Sequence, residues 1–459
     1  MNNSSAPTTL GTERVGKLLR SYAVPAIIAM TAQSLYNMVD SIFIGQGVGA
    51  LAISGLAITF PLMNLAAAFG SLVGVGASSL ISIKLGQKDY VMARKVLGNV
   101  LLLNIVIGLV FSVITLSLLN PILTFFGASA ETMPYARDYM EIILIGNMVT
   151  HIYLGLNAVL RASGNPNASM VATIIAVVLN TILDPIFIYG FRWGIRGAAF
   201  ATIIAQVIAL LWQLKFFTKG NQLLCITRDI FHFNRHIVNG IVGIGLSPFL
   251  MNLASCFVVT FINQGLKANG GDLAIGAFGI VNRVSFLFLM VVMGLNQGMQ
   301  PIAGYNFGAK QIDRVKKVFR LTAICATIVT TSGFLFGEII PQLIARIFTS
   351  DNELIALSAY GMRVVMCTFP LIGVQIVITN LFQSIGMAQK SIFLSLTRQL
   401  IFLIPGLLIL PHWFGITGVW MSMPVSDLAA SIISTVMIIR LFNVWKRNPE
   451  FATGDTQQP

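Results

Sequence analysis

Two acids in this chain stand where acids are costly. Asp184 lies in Asn180-Thr181-Ile182-Leu183-Asp184-Pro185, inside an apolar run from Ala168 to Tyr189, and Asp40 lies in a second apolar stretch. A charged group at bilayer depth costs at least about 2.5 to 3.5 kcal/mol, so such residues are read first as functional. Asn180 falls one helical turn from Asp184 on the same face. Pro185 has no N–H for the carbonyl of Thr181, so one short segment offers a carboxylate, an amide and a bare carbonyl. These are hard oxygen ligands, suited to H⁺ or Na⁺ and not to a soft metal. Gln33, Asn37 and Asp40 follow i, i+4, i+7 and form a polar stripe that must face protein or a water-filled cavity. Asp40, Asp184 and Thr202 come out at a similar depth when counted from the helix ends. Two carboxylates close together in a low dielectric need a cation or a shared proton, so the group can alternate between protonated and Na⁺-filled forms.

Other residues carry weaker signals. Pro25 breaks the hydrogen bond to the Ser21 carbonyl and is a candidate hinge below Asp40, or a static bend. Phe60, Met63 and Asn64, beside Pro61, suit a pliable pocket for flat hydrophobic ligands, although such residues in a span more often face lipid or core. In the second half, Arg283, Arg363 and Asp427 come out in one layer and read as a buried ion-pair network. His232 and His236 have i, i+4 spacing but no evident third ligand. No GxxxxGK[ST] phosphate loop, HExxH motif or clustered acidic metal motif is present, so neither ATP-driven transport nor membrane enzymology has residues to stand on.

The elements that must hold these residues follow from composition. The chain has 459 residues, 56% hydrophobic and 10% charged, with a mean hydropathy of +0.83. That describes a polytopic helical membrane protein. Twelve spans are expected near 18–44, 51–83, 96–119, 134–160, 168–189, 197–217, 237–264, 273–306, 318–340, 353–382, 392–410 and 417–441. They leave a cytoplasmic N-terminal segment, 1–17, a linker, 218–236, and a C-terminal tail, 442–459. With the N-terminus in the cytoplasm, 21 of the 29 basic residues fall on the cytoplasmic side, so both termini are expected there. The net charge of +13 is distributed as membrane orientation requires and forms no nucleic-acid-binding domain. The four cysteines, at 225, 256, 325 and 367, match no zinc or disulfide pattern.

The halves are repeats. Phe43-Ile44-Gly45-Gln46-Gly47 returns as Phe261-Ile262-Asn263-Gln264-Gly265, and Lys84-Leu85-Gly86-Gln87-Lys88 aligns with Asn306-Phe307-Gly308-Ala309-Lys310 at an offset of 222. Trp193-Gly194-Ile195-Arg196-Gly197 aligns with Phe414-Gly415-Ile416-Thr417-Gly418 at 221. Six spans per half give parallel repeats, an N-lobe over 18–217 and a C-lobe over 237–441.

Leu160-Arg161-Ala162-Ser163-Gly164-Asn165-Pro166, the Leu179–Pro185 segment and Gly194-Ile195-Arg196-Gly197-Ala198-Ala199 resemble the multidrug and toxic compound extrusion (MATE) family. The resemblance covers essentially all twelve spans, and Asp40 with an acid-free seventh span is similar to its DinF-like branch. It implies a V-shaped pair of six-helix lobes with pseudo-two-fold symmetry, acting as a monomer in the bacterial inner membrane. The activity implied is export of cationic or amphipathic compounds against entry of H⁺ or Na⁺, with no cofactor. By position, the cation site would be Asp40, Asn180, Asp184 and Thr202, joined by the Ala198 carbonyl. Gln33, Asn37, Phe60 and Met63 would serve substrate; Asn157 matches a polar family position, while Asn147 lies nearer the right depth. The alternative is a lipid-linked oligosaccharide flippase of the same superfamily. That activity calls for a basic groove for a diphosphate, whereas this first half buries acids.

Overall fold

A computed structural model describes residues 9–218, 223–227 and 230–448. Lys219 and Arg228 of the linker, and the ends of both terminal segments, 1–8 and 449–459, lie outside the described residues. Among the described residues the regular structure is helical. Ten helices among the described residues are long and apolar enough to cross a membrane, and the bent pair Asn352–Met366 and Phe369–Ser384 supplies an eleventh span. Ala388–Arg447, at 60 residues, is twice the length of a crossing and breaks at Gly415 (φ 55°), which makes twelve. Leu273–Gly308 is likewise separated from Arg235–Gly271 by the positive φ of Gly271.

The repeat is written into the backbone. Residues with left-handed φ recur at 222 positions in Gly49 and Gly271, Lys88 and Lys310, and Gly164 and Gly386, and at 221 in Gly194 and Gly415. The two lysines are the telling pair. A left-handed L-residue costs roughly 1–2 kcal/mol, yet both halves keep one in the tight turn after the second and eighth spans. The short helices Leu119–Phe125 and Pro341–Phe348 close the third and ninth spans at the same spacing. Helix starts follow local chemistry: Asp89 caps the third span through Met92 N–H (3.0 Å), and Asp351 caps the tenth through Glu353 and Leu354.

The chain forms two compact units that do not follow the 18–217 and 237–441 lobes. One contains Ile28–Phe249; the other contains Glu13–Ile27 and the chain from Leu250. The divisions fall inside the first and seventh spans because the N-terminal half of each lies close against spans of the other repeat. Gly298 of the eighth span meets the first span so closely that a Cβ would stand 2.6 Å from Ala23 N, and Arg314 donates to the Glu13 carbonyl. In the other unit, a Cβ on Gly245 would stand 1.8 Å from the Leu72 carbonyl oxygen, and the Phe69 and Phe249 rings lie 4.9 Å apart. Small residues permit such backbone approach where lipid offers no hydrophobic drive. Pro25 does not interrupt the first span: Val15–Gly47 is one helix, and its change of unit comes two residues later.

Gly243, two positions from Gly245, has open space around it. Gly245→Ala should therefore force two backbones apart and cost about 1–3 kcal/mol, seen as a fall of several degrees in Tm in detergent. Gly243→Ala should leave Tm unchanged.

Candidate functional site

Asp40, Asn180, Asp184 and Thr202 converge inside the unit formed by Ile28–Phe249. Asp184 is fully buried, Asn180 is 2% exposed and Asp40 is 6% exposed. The first span delivers Asp40 near its C-terminal end, the fifth delivers Asn180 and Asp184 one turn apart, and the sixth delivers Thr202. The fifth span ends as a regular helix at Pro185 and continues as a π-helical turn, Ile186–Gly190, in which Phe191 N–H reaches the Ile186 carbonyl at 2.9 Å. Such turns often mark functional positions. Tyr189, on that turn, ties the fifth span to the first by donating to the Phe43 carbonyl at 3.1 Å.

Hydrogen-bond direction organises the group. Thr202 has one hydroxyl hydrogen and donates it to the Ala198 carbonyl at 3.1 Å. It therefore accepts from Tyr36 Oη at 3.1 Å and from Asn180 Nδ2 at 3.0 Å. With its amide nitrogen committed, Asn180 turns its Oδ1 the other way. That oxygen, both carboxylate oxygens of Asp184 and Oδ1 of Asp40 are buried without a donor. The two carboxyls lie within electrostatic reach of each other, so both cannot stay charged without a proton or a cation between them. Four orphaned oxygen acceptors and no nitrogen or sulfur make a donor set that fits a proton or a hard cation. Below them is a cavity of about 40 Å³, lined by Gln33, Tyr36, Tyr153, Asn180, Thr202 and Gln206 among others, enough for one water.

On the first span Asp40 is buried and Tyr36 half-buried, while Gln33 and Asn37 are both exposed, and of those two Gln33 still lines the cavity. Tyr139, 2% exposed, stands within electrostatic reach of both acids and of Tyr36. Tyr36, Tyr139 and Gln206 were not singled out from sequence; the i, i+4 spacing of Tyr36 to Asp40 was the available signal. Asn147 is buried beside Gly146, which lies against Ile203 of the sixth span, and its amide nitrogen has no partner. Asn157 belongs to a separate cluster nearer the basic face, donating to Thr173 at 2.9 Å and accepting from Ser169, which in turn accepts from Arg161. Met63 packs into the core of this unit, and Phe60 is 63% exposed.

The second unit arranges its charges differently from the expected layer. Arg283 and Arg363 are exposed, and Asp427 pairs instead with Arg398, Nε to Oδ1 at 2.5 Å, with the Thr368 hydroxyl 3.5 Å from Oδ2. Arg398 lies on the π-helical turn Thr397–Leu403 of the eleventh span, which brings its guanidinium level with the twelfth. Counting depth along single helices missed it, because the pairing depends on where two spans adjoin.

A family model described as MatE matches residues 25–186 and 244–408, most of both repeats. The chain belongs to the MATE family. It is a transporter of that family and not an enzyme. Among its curated relatives, the multidrug export protein MepA of Staphylococcus haemolyticus (strain JCSC1435) is 28% identical over 434 residues, covering 93% of this chain and 94% of the relative. MepA of Staphylococcus aureus (strain NCTC 8325 / PS 47) is 28% identical over 430 residues, with the same coverage. An outward-facing multidrug resistance MATE transporter superimposes with a TM-score of 0.91 over 97% of this chain and all of that one, at 24% identity. A Pyrococcus furiosus transporter, whose reversed pocket polarity is described as suggesting a different function, gives 0.90 at 24% over the same shares. Those two likenesses concern the fold. In this MATE transporter the acid pair belongs to the stretch that the family model covers, 25–186, and Thr202 lies just outside it.

Thr202→Val keeps the shape but leaves Tyr36 and Asn180 without their acceptor. It should cost about 1–3 kcal/mol in stability, read as a lower Tm in detergent, while Thr202→Ser should stay close to wild type.

Proposed function

We propose that this transporter is a secondary active antiporter that exports cationic or amphipathic compounds in exchange for inward H⁺ or Na⁺. The observation that carries the reading is the array of four donor-less oxygens on Asp40, Asn180 and Asp184, held in place by the Tyr36–Thr202–Asn180 hydrogen bonds. An array of this kind is stable when a proton or a cation satisfies it, and costly otherwise. A protein with two conformations that differ in how well they satisfy these oxygens is driven between them by the ion. Export follows if the substrate prefers the opposite one. A tenfold difference in ion affinity between the two states shifts their balance by about 1.4 kcal/mol, so a few kcal/mol of differential affinity suffices.

The relatives named for multidrug export support a drug-like cargo. The buried acids favour cationic compounds over a diphosphate-linked lipid, since carboxylates in low dielectric repel an anion and attract a cation. The face that carries Lys84, Lys88, Lys310 and Lys390 is assigned to the cytoplasm on the charge bias of short loops, with the chain in a bacterial inner membrane. Asp40, Asn180, Asp184 and Thr202 serve the coupling ion, in the DinF-like manner. Gln33 and the single-water cavity adjoin them on the side of the basic face. Pro25 serves as the hinge of the first span, near the point where that helix passes from one compact unit to the other.

Proteoliposomes with separately imposed Na⁺ and pH gradients, loaded with a fluorescent organic cation, test this directly. At least one gradient should raise flux in the wild type about tenfold or more. An Asp40→Asn, Asp184→Asn double variant of equal abundance should lose that stimulation. Equal gradient-driven flux in the two proteins would overturn the proposal.

A further inference from the structure

The internal repeat makes one surface of the second unit conspicuous. In the first half, the inner end of the third span is covered by the linker. Arg94 Nε donates to the Leu223 carbonyl at 2.8 Å, and Asn99 exchanges hydrogen bonds with the backbone of His232 and Asn234. Gly98 lies so close to Ile230 that a Cβ would stand 2.0 Å from its carbonyl oxygen. Moved along the chain by 222 positions, Arg94 and Gly98 become Lys316 and Arg320 of the ninth span. Of these two, Arg320 is exposed and Lys316 half-buried. Beside them opens a groove of about 610 Å³ between the ninth, tenth and twelfth spans.

The chemistry of the groove is graded. At the basic face it begins with Lys316 and Arg320. Arg320 is exposed and has no ion pair among the described residues, and Lys316 meets only Asp313, at 3.8 Å, whose side chain is 86% exposed. Such a surface pair holds its lysine weakly. Beyond the cations the lining runs through Ile324, Ile328 and Leu335, with Val374 and Phe442 from the neighbouring spans. The hydroxyls of Thr327 and Ser332 are turned onto the Ala323 and Ile328 carbonyls, so the lining stays apolar. From Lys316 to Leu335 is nineteen helical steps, about 28 Å, which carries the groove through more than one leaflet of a hydrocarbon core about 30 Å thick. Phe319 packs edge-on to Phe442 at 5.5 Å, and Phe442 stacks on Trp445 at 5.6 Å.

We infer that this groove is a binding site for one anionic phospholipid, whose phosphate sits on Lys316 and Arg320 and whose acyl chain lies along the ninth span. Two cations over an apolar slot complement that ligand in charge and in length. A basic pocket between spans on the cytoplasmic side is a recognised arrangement for anionic headgroups. The rival occupant is the chain's own C-terminal segment after Arg447, which by the repeat corresponds to the linker. Its sequence, with Glu450 and Asp455 and Phe451 as its one large apolar residue, gives it no means of filling a slot within hydrocarbon. A polar backbone there would leave its N–H and C=O groups unsatisfied. The inference rests on membrane placement and the repeat, and does not depend on which ion drives transport.

Native mass spectrometry of the detergent-purified full-length protein, titrated with phosphatidylglycerol or phosphatidylcholine, tests it. The wild type should retain one saturable phosphatidylglycerol and at least several-fold less phosphatidylcholine. Lys316→Gln with Arg320→Gln should weaken phosphatidylglycerol binding about tenfold, at unchanged Tm. Removal of residues 449–459 should leave it as it is. Equal binding of the two lipids, equal phosphatidylglycerol binding by the double variant, or a several-fold gain on removing the tail would each overturn the inference.

Discussion

Two carboxyl groups that meet away from water impose the constraint from which the first unit is built. Asp40 and Asp184 come from spans far apart in sequence and share one buried place. The group exists only if a shared proton or a cation offsets its charge. Every neighbour is consistent with that demand. Thr202 takes two donors so that Asn180 can present its oxygen, and its own hydrogen goes to the Ala198 carbonyl. The helix carrying Asp184 ends its regular ladder at Pro185 and continues as a π-helical turn. The donors nearby are spent on fixing the oxygens in position, and the oxygens are left without a donor.

The same sequence, repeated, solves a different problem in the second unit. Both repeats keep the left-handed turn lysine, the closing short helix and the glycine break before the sixth or twelfth span, because these set the path of the backbone. They diverge in side chains. Among the described residues the second unit buries one acid, Asp427, and neutralises it within the protein through Arg398, so no unpaired carboxylate is buried there. A buried pair satisfied this way stays closed to ions, since breaking it leaves an uncompensated charge. Asymmetry between the halves is therefore electrostatic, laid over a shared backbone.

Much of this was legible in the sequence, for identifiable reasons. The twelve spans follow from hydropathy, and most of their expected limits lie within a few residues of the helices, the third, seventh, ninth and twelfth missing one end by six or seven, because a bilayer leaves the backbone few alternatives. The acid pair was legible because burial in a span makes an acid conspicuous by cost alone. Other features needed the third dimension. Asn37 and Tyr36 are adjacent on one helix, and which of them faces the acids depends on how that helix is rotated against the fifth and sixth spans. Arg398 could not be matched to Asp427 by counting residues, since the π-helical turn Thr397–Leu403 alters the phase of the eleventh span. The exchange of inner half-spans between the units was hidden for a similar reason. The glycines that permit it, Gly245 and Gly298, look like any others until the backbone they touch is known.

The central claim is that the Asp40–Asp184 group and the exported compound are thermodynamically linked. Linkage requires that an ion which alters affinity for the compound do so through these two acids, and by the same factor in both directions. The most direct measurement is the equilibrium affinity of the purified protein for a fluorescent organic cation, titrated against pH and against Na⁺ in the wild type and in Asp184→Asn. The account predicts an affinity that falls several-fold as H⁺ or Na⁺ rises in the wild type and stays flat in the variant. The same ion dependence in both proteins would contradict it.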